Sequence, residues 1–158
     1  ADRACRKIAH IGGHPHPDLL ALRRLDAFKE IAALRGLQHV ELHTDLQGFH
    51  FPEYERLAER LLEEHPDVDG IFASSDIIAT HALKVCQARG RRVPQDIKIV
   101  GYDGVSLRGL FSPDLTTVSQ PIAEMAQKAV DLIMAQVQGD TVPMENIFPV
   151  ELIQGGTT

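Results

Sequence analysis

The chain has 158 residues, of which 44% are hydrophobic and 24% are charged, and it contains 2 Cys. This composition is typical of an ordinary globular domain. A chain of this length buries enough apolar surface to fold without disulfides or a metal, which excludes disordered, collagen-like and cysteine-stapled proteins. The formal net charge of −6 argues against a chain that neutralises many nucleic-acid phosphates by itself.

Strand-like and helix-like patterns alternate along the chain, as they do in successive βαβ units. The apolar residues of segment 53–64 recur at helical spacing, and Pro149 in the last predicted strand indicates a sheet edge. We therefore predict an α/β fold with a parallel sheet flanked by helices. The predicted elements are, in chain order, a strand at 7–11, a helix that begins at 18 or 19 and is ended by Gly36, a strand at 40–43, a helix over 53–64, a strand at 68–73, a helix at 77–89, strands at 97–102 and 115–118, a helix at 121–137 and a strand at 147–153.

Polar side chains follow the carboxyl ends of the predicted strands, which is where ligands bind in open α/β sheets. Arg24 lies on the helix after the first strand, and Phe49 follows the second strand. Ser75 and Asp76 follow the third strand, and Asp103 follows the fourth. Carboxylates, a planar guanidinium and an aromatic face are the groups that bind a sugar-sized polyol, so the pattern predicts recognition rather than catalysis. Further polar residues near these strand ends are His14, His16, Arg23, Thr44, Asp45 and Ser74.

Each candidate also has a purely structural interpretation. Arg24 could be a solvated helix residue, and Phe49 could be a loop residue tucked into the core. Ser75 could cap the helix that follows, and Asp76 could be a charge favoured at the N-terminus of that helix. Asp103 precedes a glycine and could simply make a turn. The sequence alone leaves these alternatives open.

Histidines and cysteines give no strong signal for a metal site or for catalysis. His10, His14 and His16 are close in sequence, but the first lies within a strand and prolines extend the loop around the others, so we expect surface histidines and no metal. Cys86 lies on a helix without a predicted base nearby, which favours a small core residue.

Sequence motifs of common enzymes are also missing. The chain has no GxGxxG, phosphate-loop, Gly-x-Ser-x-Gly or His-Glu-x-x-His motif, so we predict no cofactor and no enzymatic activity. The enzymatic alternative is a small-molecule enzyme that uses Asp103 or His14 as a base. Neither a membrane-length apolar run nor a signal peptide is visible, and Cys5 and Cys86 fit no CxxC pattern. We therefore expect no membrane contact, reduced thiols and a cytoplasmic location.

Four ordered segments resemble signatures of the lactose/galactose-repressor (LacI/GalR) family of transcription regulators. The segments are Gly70-Ile-Phe-Ala-Ser-Ser-Asp76, Val93-Pro-Gln-Asp-Ile-Lys-Ile-Val-Gly-Tyr-Asp103, Ser112-Pro-Asp-Leu-Thr-Thr-Val-Ser-Gln-Pro121, and Pro149-Val-Glu-Leu-Ile153 with the residues through Thr158. Lys7-Ile-Ala-His-Ile-Gly-Gly13 and Arg24-Leu-Asp-Ala-Phe28 resemble the first strand and helix of the family. The likeness spans essentially the whole chain. It departs from the family at Ala27, which is usually Gly, and at Ser75, which is commonly Asn.

The resemblance implies a periplasmic-binding-protein-like (type I) fold with an effector pocket. If the pocket of the family is mapped onto this chain, Arg24 and Asp103 would bind sugar hydroxyls and Ser75 or Asp76 would lie beside them. Phe49 would supply the face on which the sugar stacks. The resemblance further implies that the chain is the sugar-sensing effector domain of a DNA-binding transcriptional repressor. Such a repressor would be allosteric and homodimeric. The alternative is a periplasmic-type sugar-binding receptor of a transport system, which shares the fold and the pocket chemistry.

The resemblance also implies how the chain is divided. Family members have a helix-turn-helix that reads operator DNA, a hinge helix and a two-lobed effector domain, and this chain begins after the first two. Residues 1–119 and 145–158 would form the C-terminal lobe, and 120–144 would belong to an N-terminal lobe that is largely missing. We expect such a fragment to bind its effector weakly or not at all. The apolar helix at 121–137 would then dock unusually, pair with another chain or make the protein sticky.

Overall fold

The computed structural model describes residues 5–14, 20–45, 50–105 and 112–158. Strands and helices alternate along these residues, which confirms the predicted α/β class. No helix in the described part is long and apolar enough to cross a membrane. The elements are β1 (Lys7–Gly12), α1 (Leu20–Leu34), β2 (Gln38–His43), α2 (Phe51–Glu64), β3 (Gly70–Ala73), α3 (Asp76–Ala88), β4 (Lys98–Asp103), β5 (Thr116–Ser119), α4 (Ile122–Val137) and β6 (Glu151–Ile153).

The strands form one sheet in the order β2-β1-β3-β4-β5-β6. β1 to β5 pair in parallel, and β6 pairs with β5 in the antiparallel direction. The carboxyl ends of the five parallel strands therefore lie along the same edge of the sheet. The last strand is an edge strand, as predicted, but it begins at Glu151 and not at 147. Pro149 has no amide proton to donate to a ladder, which is consistent with this shorter strand.

The core lies between one face of the sheet and the helices α2 and α3. Ile11, Ile71 and Ile99, on three adjacent strands, are at most 3% exposed, and Leu61 of α2 and Leu83 of α3 are 0% exposed. Burial of each such side chain contributes roughly 2 kcal/mol through the apolar surface removed from water. The apolar stripe predicted for α2 is the stripe that the structure buries: Tyr54, Leu57, Ala58, Leu61 and Leu62.

The other face of the sheet is packed against α1. Phe28 of α1 stacks on Phe72 of β3, with ring centroids 6.2 Å apart, and the His10 ring lies 5.5 Å from Phe28. His10 is 1% exposed, so the expectation of surface histidines is wrong for this residue, because alternation along β1 directs its ring under α1. The helix thereby covers an aromatic patch and brings its first turns to the carboxyl edge of the sheet.

α4 differs from the other helices because none of its residues is buried. Five large apolar side chains of this helix are more than half exposed: Ile122, Val130, Ile133, Met134 and Val137. The helix follows β5 directly, with Pro121 at its N-cap position. The structure thus matches the expectation of an apolar helix face without a sheet to cover. The division of the chain into two lobes stays a prediction.

Candidate functional site

Polar and aromatic side chains from several elements meet at the carboxyl edge of the sheet. We call this group the rim and define it by Arg24, Ser75, Tyr102, Asp103 and Gln120. Arg24 comes from α1, Ser75 from the β3–α3 junction, Tyr102 and Asp103 from the end of β4, and Gln120 from the residue after β5. The rim therefore draws on elements far apart in sequence, which the parallel topology brings to one edge.

Arg24 is held in place by three neighbours. Its Nη1 donates a hydrogen bond of 2.8 Å to the carbonyl oxygen of Ser74, and its Cζ lies 3.8 Å from the centroid of the Tyr102 ring. The same Nη1 lies 3.9 Å from Oδ1 of Asp103. A guanidinium stacked on an aromatic ring and fixed at one nitrogen keeps its other N–H groups available for a ligand. Arg24 is therefore not a freely solvated helix residue.

Asp103 lies opposite Arg24 at the end of β4. Its Oδ1 accepts a hydrogen bond of 3.0 Å from Nε2 of Gln120, and its side chain is 30% exposed. Burial raises the pKa of this carboxyl, while the nearby Arg24 guanidinium and the Gln120 hydrogen bond act in the opposite direction. The carboxylate is thus oriented from two sides and remains reachable from solvent.

Ser75 and Asp76 are placed differently from each other. Ser75 is the N-cap of α3, and its Oγ accepts a hydrogen bond of 3.3 Å from the amide of Ile78. Asp76 is 0% exposed and lies beneath the rim. Its Oδ1 accepts a bond of 2.5 Å from Oγ1 of Thr117, and its Oδ2 accepts one of 2.7 Å from the amide of Val105. The pKa of Asp76 is raised, because the effect of burial outweighs that of its hydrogen bonds, which act in the opposite direction.

The structure thus brings together Arg24 and Asp103 among the residues predicted from the sequence, and it buries Asp76 below them. Ser75 follows the residue whose carbonyl oxygen Arg24 binds, but its own hydroxyl caps α3. Phe49 and His16 lie outside the described residues. Tyr102 and Gln120 were missed by the sequence analysis. Gln120 directly follows the carboxyl end of β5, so the strand-end rule applied to this strand as well would have found it.

A cavity of about 520 Å³ runs from the rim along the interface between α1 and the sheet. Arg24, Tyr102 and Gln120 line its polar end, and Phe28 and Phe72 line its apolar end. Binding sites for small molecules commonly combine apolar walls with a few convergent polar groups. The cavity is largely open to solvent, so a ligand there would remain partly exposed.

The histidines of the described residues do not form a metal site, since no group of three or more His, Cys, Asp or Glu side chains with metal-binding geometry occurs among them. Burial lowers the pKa of His10 to about 3, and neither ring nitrogen has a hydrogen-bond partner in the described part of the chain. Cys86 is fully buried in the core, as predicted, and burial raises its pKa to about 11.

The chain matches the family model of the periplasmic binding protein-like domain over residues 1–158. It is 37% identical over 160 residues to the ribose operon repressor of Halalkalibacterium halodurans, a match that covers 99% of this chain and 46% of that protein. It is 32% identical over 148 residues to the HTH-type transcriptional regulator CelR of Thermobifida fusca, covering 94% of this chain and 42% of that protein.

A solved CelR–cellobiose complex superposes with a TM-score of 0.86 at 30% identity, covering 98% of this chain and 47% of that chain. A periplasmic binding protein/LacI transcriptional regulator from Alkaliphilus metalliredigens, in complex with D-xylulofuranose, gives a TM-score of 0.83 at 29% identity, covering 98% and 57%. The chain spans about half the length of the curated relatives it matches. These relatives and solved neighbours carry the names of repressors and transcriptional regulators, and the chain itself belongs to the periplasmic binding protein-like domain family.

Proposed function

We propose that this chain is the effector-sensing part of a transcriptional repressor and that its rim binds a sugar. The observation that carries the proposal is the pair formed by Arg24 and Asp103, which lie 3.9 Å apart at the carboxyl edge of the sheet and are each held by further contacts. A fixed cation and a fixed carboxylate next to an apolar cavity offer donors and acceptors to hydroxyl groups and an apolar wall to the carbon face of a sugar ring.

The proposed set of effector contacts is Arg24, Ser75 and Asp103 at the rim, with Phe49 as the stacking ring and Asp76 acting from below. Gln120 extends the set, because its amide already donates to Asp103 and leaves its carbonyl oxygen for a ligand. This rim contains no pair of nucleophile and base in hydrogen-bond contact, so recognition fits its chemistry better than catalysis.

Regulation by such a site follows from binding linkage. A sugar that binds one arrangement of the protein more tightly than another shifts the equilibrium between them, by no more than the difference in affinity. The relatives described above carry the names of transcriptional repressors and regulators, which favours this reading over a transport receptor. In this proposal the whole protein is a cytoplasmic homodimer. A helix-turn-helix outside these residues binds operator DNA, and segment 120–144 belongs to a second lobe.

The test is an NMR titration of the 158-residue chain with D-ribose, cellobiose and sucrose. We expect at least one of these sugars to shift the amide resonances of segments 74–76, 102–105 and 119–120, because these segments line the rim. Half-saturation should fall in the millimolar range, since a ligand bound at one open edge keeps much of its surface in water. Micromolar affinity would contradict the expectation of weak binding.

The control compares Arg24, near the start of α1, with an arginine at the other end of this helix. Arg24→Ala should abolish the shifts, whereas Arg35→Ala, an exposed residue just past the other end of the helix, should leave them unchanged. If none of the three sugars perturbs the rim, or if Arg24→Ala responds like the unaltered chain, the proposed sugar site is wrong.

A further inference from the structure

The surroundings of Asp76 point to a role for this residue in shaping the sugar site, a role that rests on the proposed function. The residue is 0% exposed, and both carboxylate oxygens are engaged, by the hydroxyl of Thr117 on β5 and by the amide of Val105 after β4. One buried side chain thus joins the start of α3, the loop after β4 and the neighbouring strand β5.

The carboxylate also fills a space that no ligand group can enter. A Cβ added at Gly101 of β4 would lie only 2.3 Å from Oδ1 of Asp76, so the carboxylate packs directly against the backbone of the strand. A group that is fully buried, doubly engaged and in contact with backbone is not available to a sugar hydroxyl. Asp76 therefore acts on the rim through its neighbours.

The loop that Asp76 holds has an unusual backbone conformation. Asp103 has a φ of 114° and Gly104 has a φ of 76°. A non-glycine residue in this region of φ is disfavoured and persists only where its surroundings hold it there. A Cβ added at Gly104 would lie 2.6 Å from Cα of Ser119, so the turn is also pressed against β5. The amide that donates to Oδ2 of Asp76 is that of Val105, two residues after Asp103.

We propose that Asp76 is a positioning residue that anchors the turn at 103–105 and thereby holds the Asp103 carboxylate towards Arg24 and Gln120. In this turn, Asp103 Oδ1 lies 3.0 Å from Nε2 of Gln120 and 3.9 Å from Nη1 of Arg24. Without the bond from the Val105 amide to Asp76, Asp103 is free to return to an ordinary negative φ. Its side chain would then leave the direction shared with Arg24.

Asp76→Ala tests this role in the sugar-free 158-residue chain, because it removes both oxygens that accept from the Thr117 hydroxyl and the Val105 amide. We expect the exchange rate of the Val105 amide proton to rise about tenfold or more, as for the loss of one buried hydrogen bond. We also expect the HN–Hα scalar coupling of Asp103 to increase, because φ moves from the positive to the negative region. A loss of overall stability does not by itself change this coupling.

Thr117→Val is the second, milder variant, for the case in which Asp76→Ala does not fold. It removes the hydroxyl that anchors Oδ1 and keeps the bond from the Val105 amide, so the same changes should appear with smaller amplitude. Thr80→Val is the matched control, since Thr80 is also buried on α3 but its hydroxyl bonds to the carbonyl oxygen of Ile77 within the helix. Exchange and coupling changes no larger than those of Thr80→Val would overturn the proposal.

The sugar titration separates this proposal from the proposed function. If Asp76→Ala alters the turn and also weakens the response of the rim to the sugar that binds the unaltered chain, both proposals hold. If the unaltered chain binds none of the tested sugars, the proposed function fails, while the measurements on the sugar-free chain still decide whether Asp76 anchors the turn. If the turn changes but sugar affinity stays the same, Asp76 anchors the turn and its contribution to sugar binding is overturned.

Discussion

α2 and α4 are amphipathic helices of similar length, 14 and 16 residues, yet they lie in opposite environments. α2 buries five apolar residues against the sheet, and α4 buries none. Both helices were predicted from the same kind of apolar periodicity. The comparison shows that periodicity identifies a helix and its apolar face, but it does not identify what that face covers.

The difference arises from which strands each helix connects. α2 connects β2 to β3, two strands that flank β1, so its apolar stripe crosses directly over the sheet. α4 connects β5 to β6 at the far edge, where the antiparallel return needs no helix across the face. The apolar stripe of α4 therefore stays exposed within the described structure. Contiguous exposed apolar patches commonly mark surfaces for association.

Leu61→Ala and Ile133→Ala give the largest expected contrast between the two helices. Leu61 is 0% exposed, so its truncation should leave a cavity and lower the free energy of unfolding by about 2–5 kcal/mol. Ile133 is 58% exposed, so the same truncation should change the free energy by about 0.5 kcal/mol or less. Urea denaturation followed by circular dichroism measures both values. Equal losses would mean that α4 is packed in solution.

Much of the fold followed from local pattern in the sequence. Alternation of apolar strands with helical periodicity predicted the α/β class, and glycines at 36 and 90, with φ of 62° and 72°, mark the ends of the first and third helices. The start of the last strand was predicted four residues too early. Apolar residues such as Ile147 resemble a strand, but in the structure Ile147 is 84% exposed, because only 151–153 pair with β5.

The candidate site was predicted only in part, because distance along the chain hides contacts. Arg24 and Asp103 were found from the strand-end rule, which depends on topology alone. The burial of Asp76 under Thr117 depends on the register between β4 and β5, which no local pattern reveals. Tyr102 was assigned to the strand, and its stacking under Arg24 depends on how α1 crosses the sheet.

Acid should weaken the face under α1 more than the core under α2 and α3, because His10 is buried without a hydrogen-bond partner among the described residues. Its pKa is lowered from 6.5 to about 3 in the folded chain, so below 6.5 the unfolded chain takes up a proton that the folded chain does not. The contribution to stability is complete above pH 6.5 and is lost as the pH falls towards 3. Between pH 7 and pH 5 we expect a loss of about 2 kcal/mol.

His10→Phe checks this prediction, because the ring stays next to Phe28 and Phe72 and can no longer take up a proton. Urea denaturation of both chains at several pH values isolates the contribution of His10 as the difference between the two curves. The curve of His10→Phe should be flatter between pH 7 and pH 5 by about the expected 2 kcal/mol. Parallel curves would contradict a buried, neutral His10.

The smallest expected effect concerns the N-terminus of α3, which has a side-chain cap, whereas α4 has none. Ser75→Ala removes the hydroxyl that accepts from the Ile78 amide and should lower the free energy of unfolding by about 1 kcal/mol. Ser75→Gly should cost only a few tenths of a kcal/mol, since glycine is tolerated at an N-cap. If Ser75 also contacts the sugar, both variants should weaken sugar binding to the same degree, because both lack the hydroxyl. Thermal unfolding and the sugar titration, measured on the same two variants, thus distinguish capping from recognition at one residue.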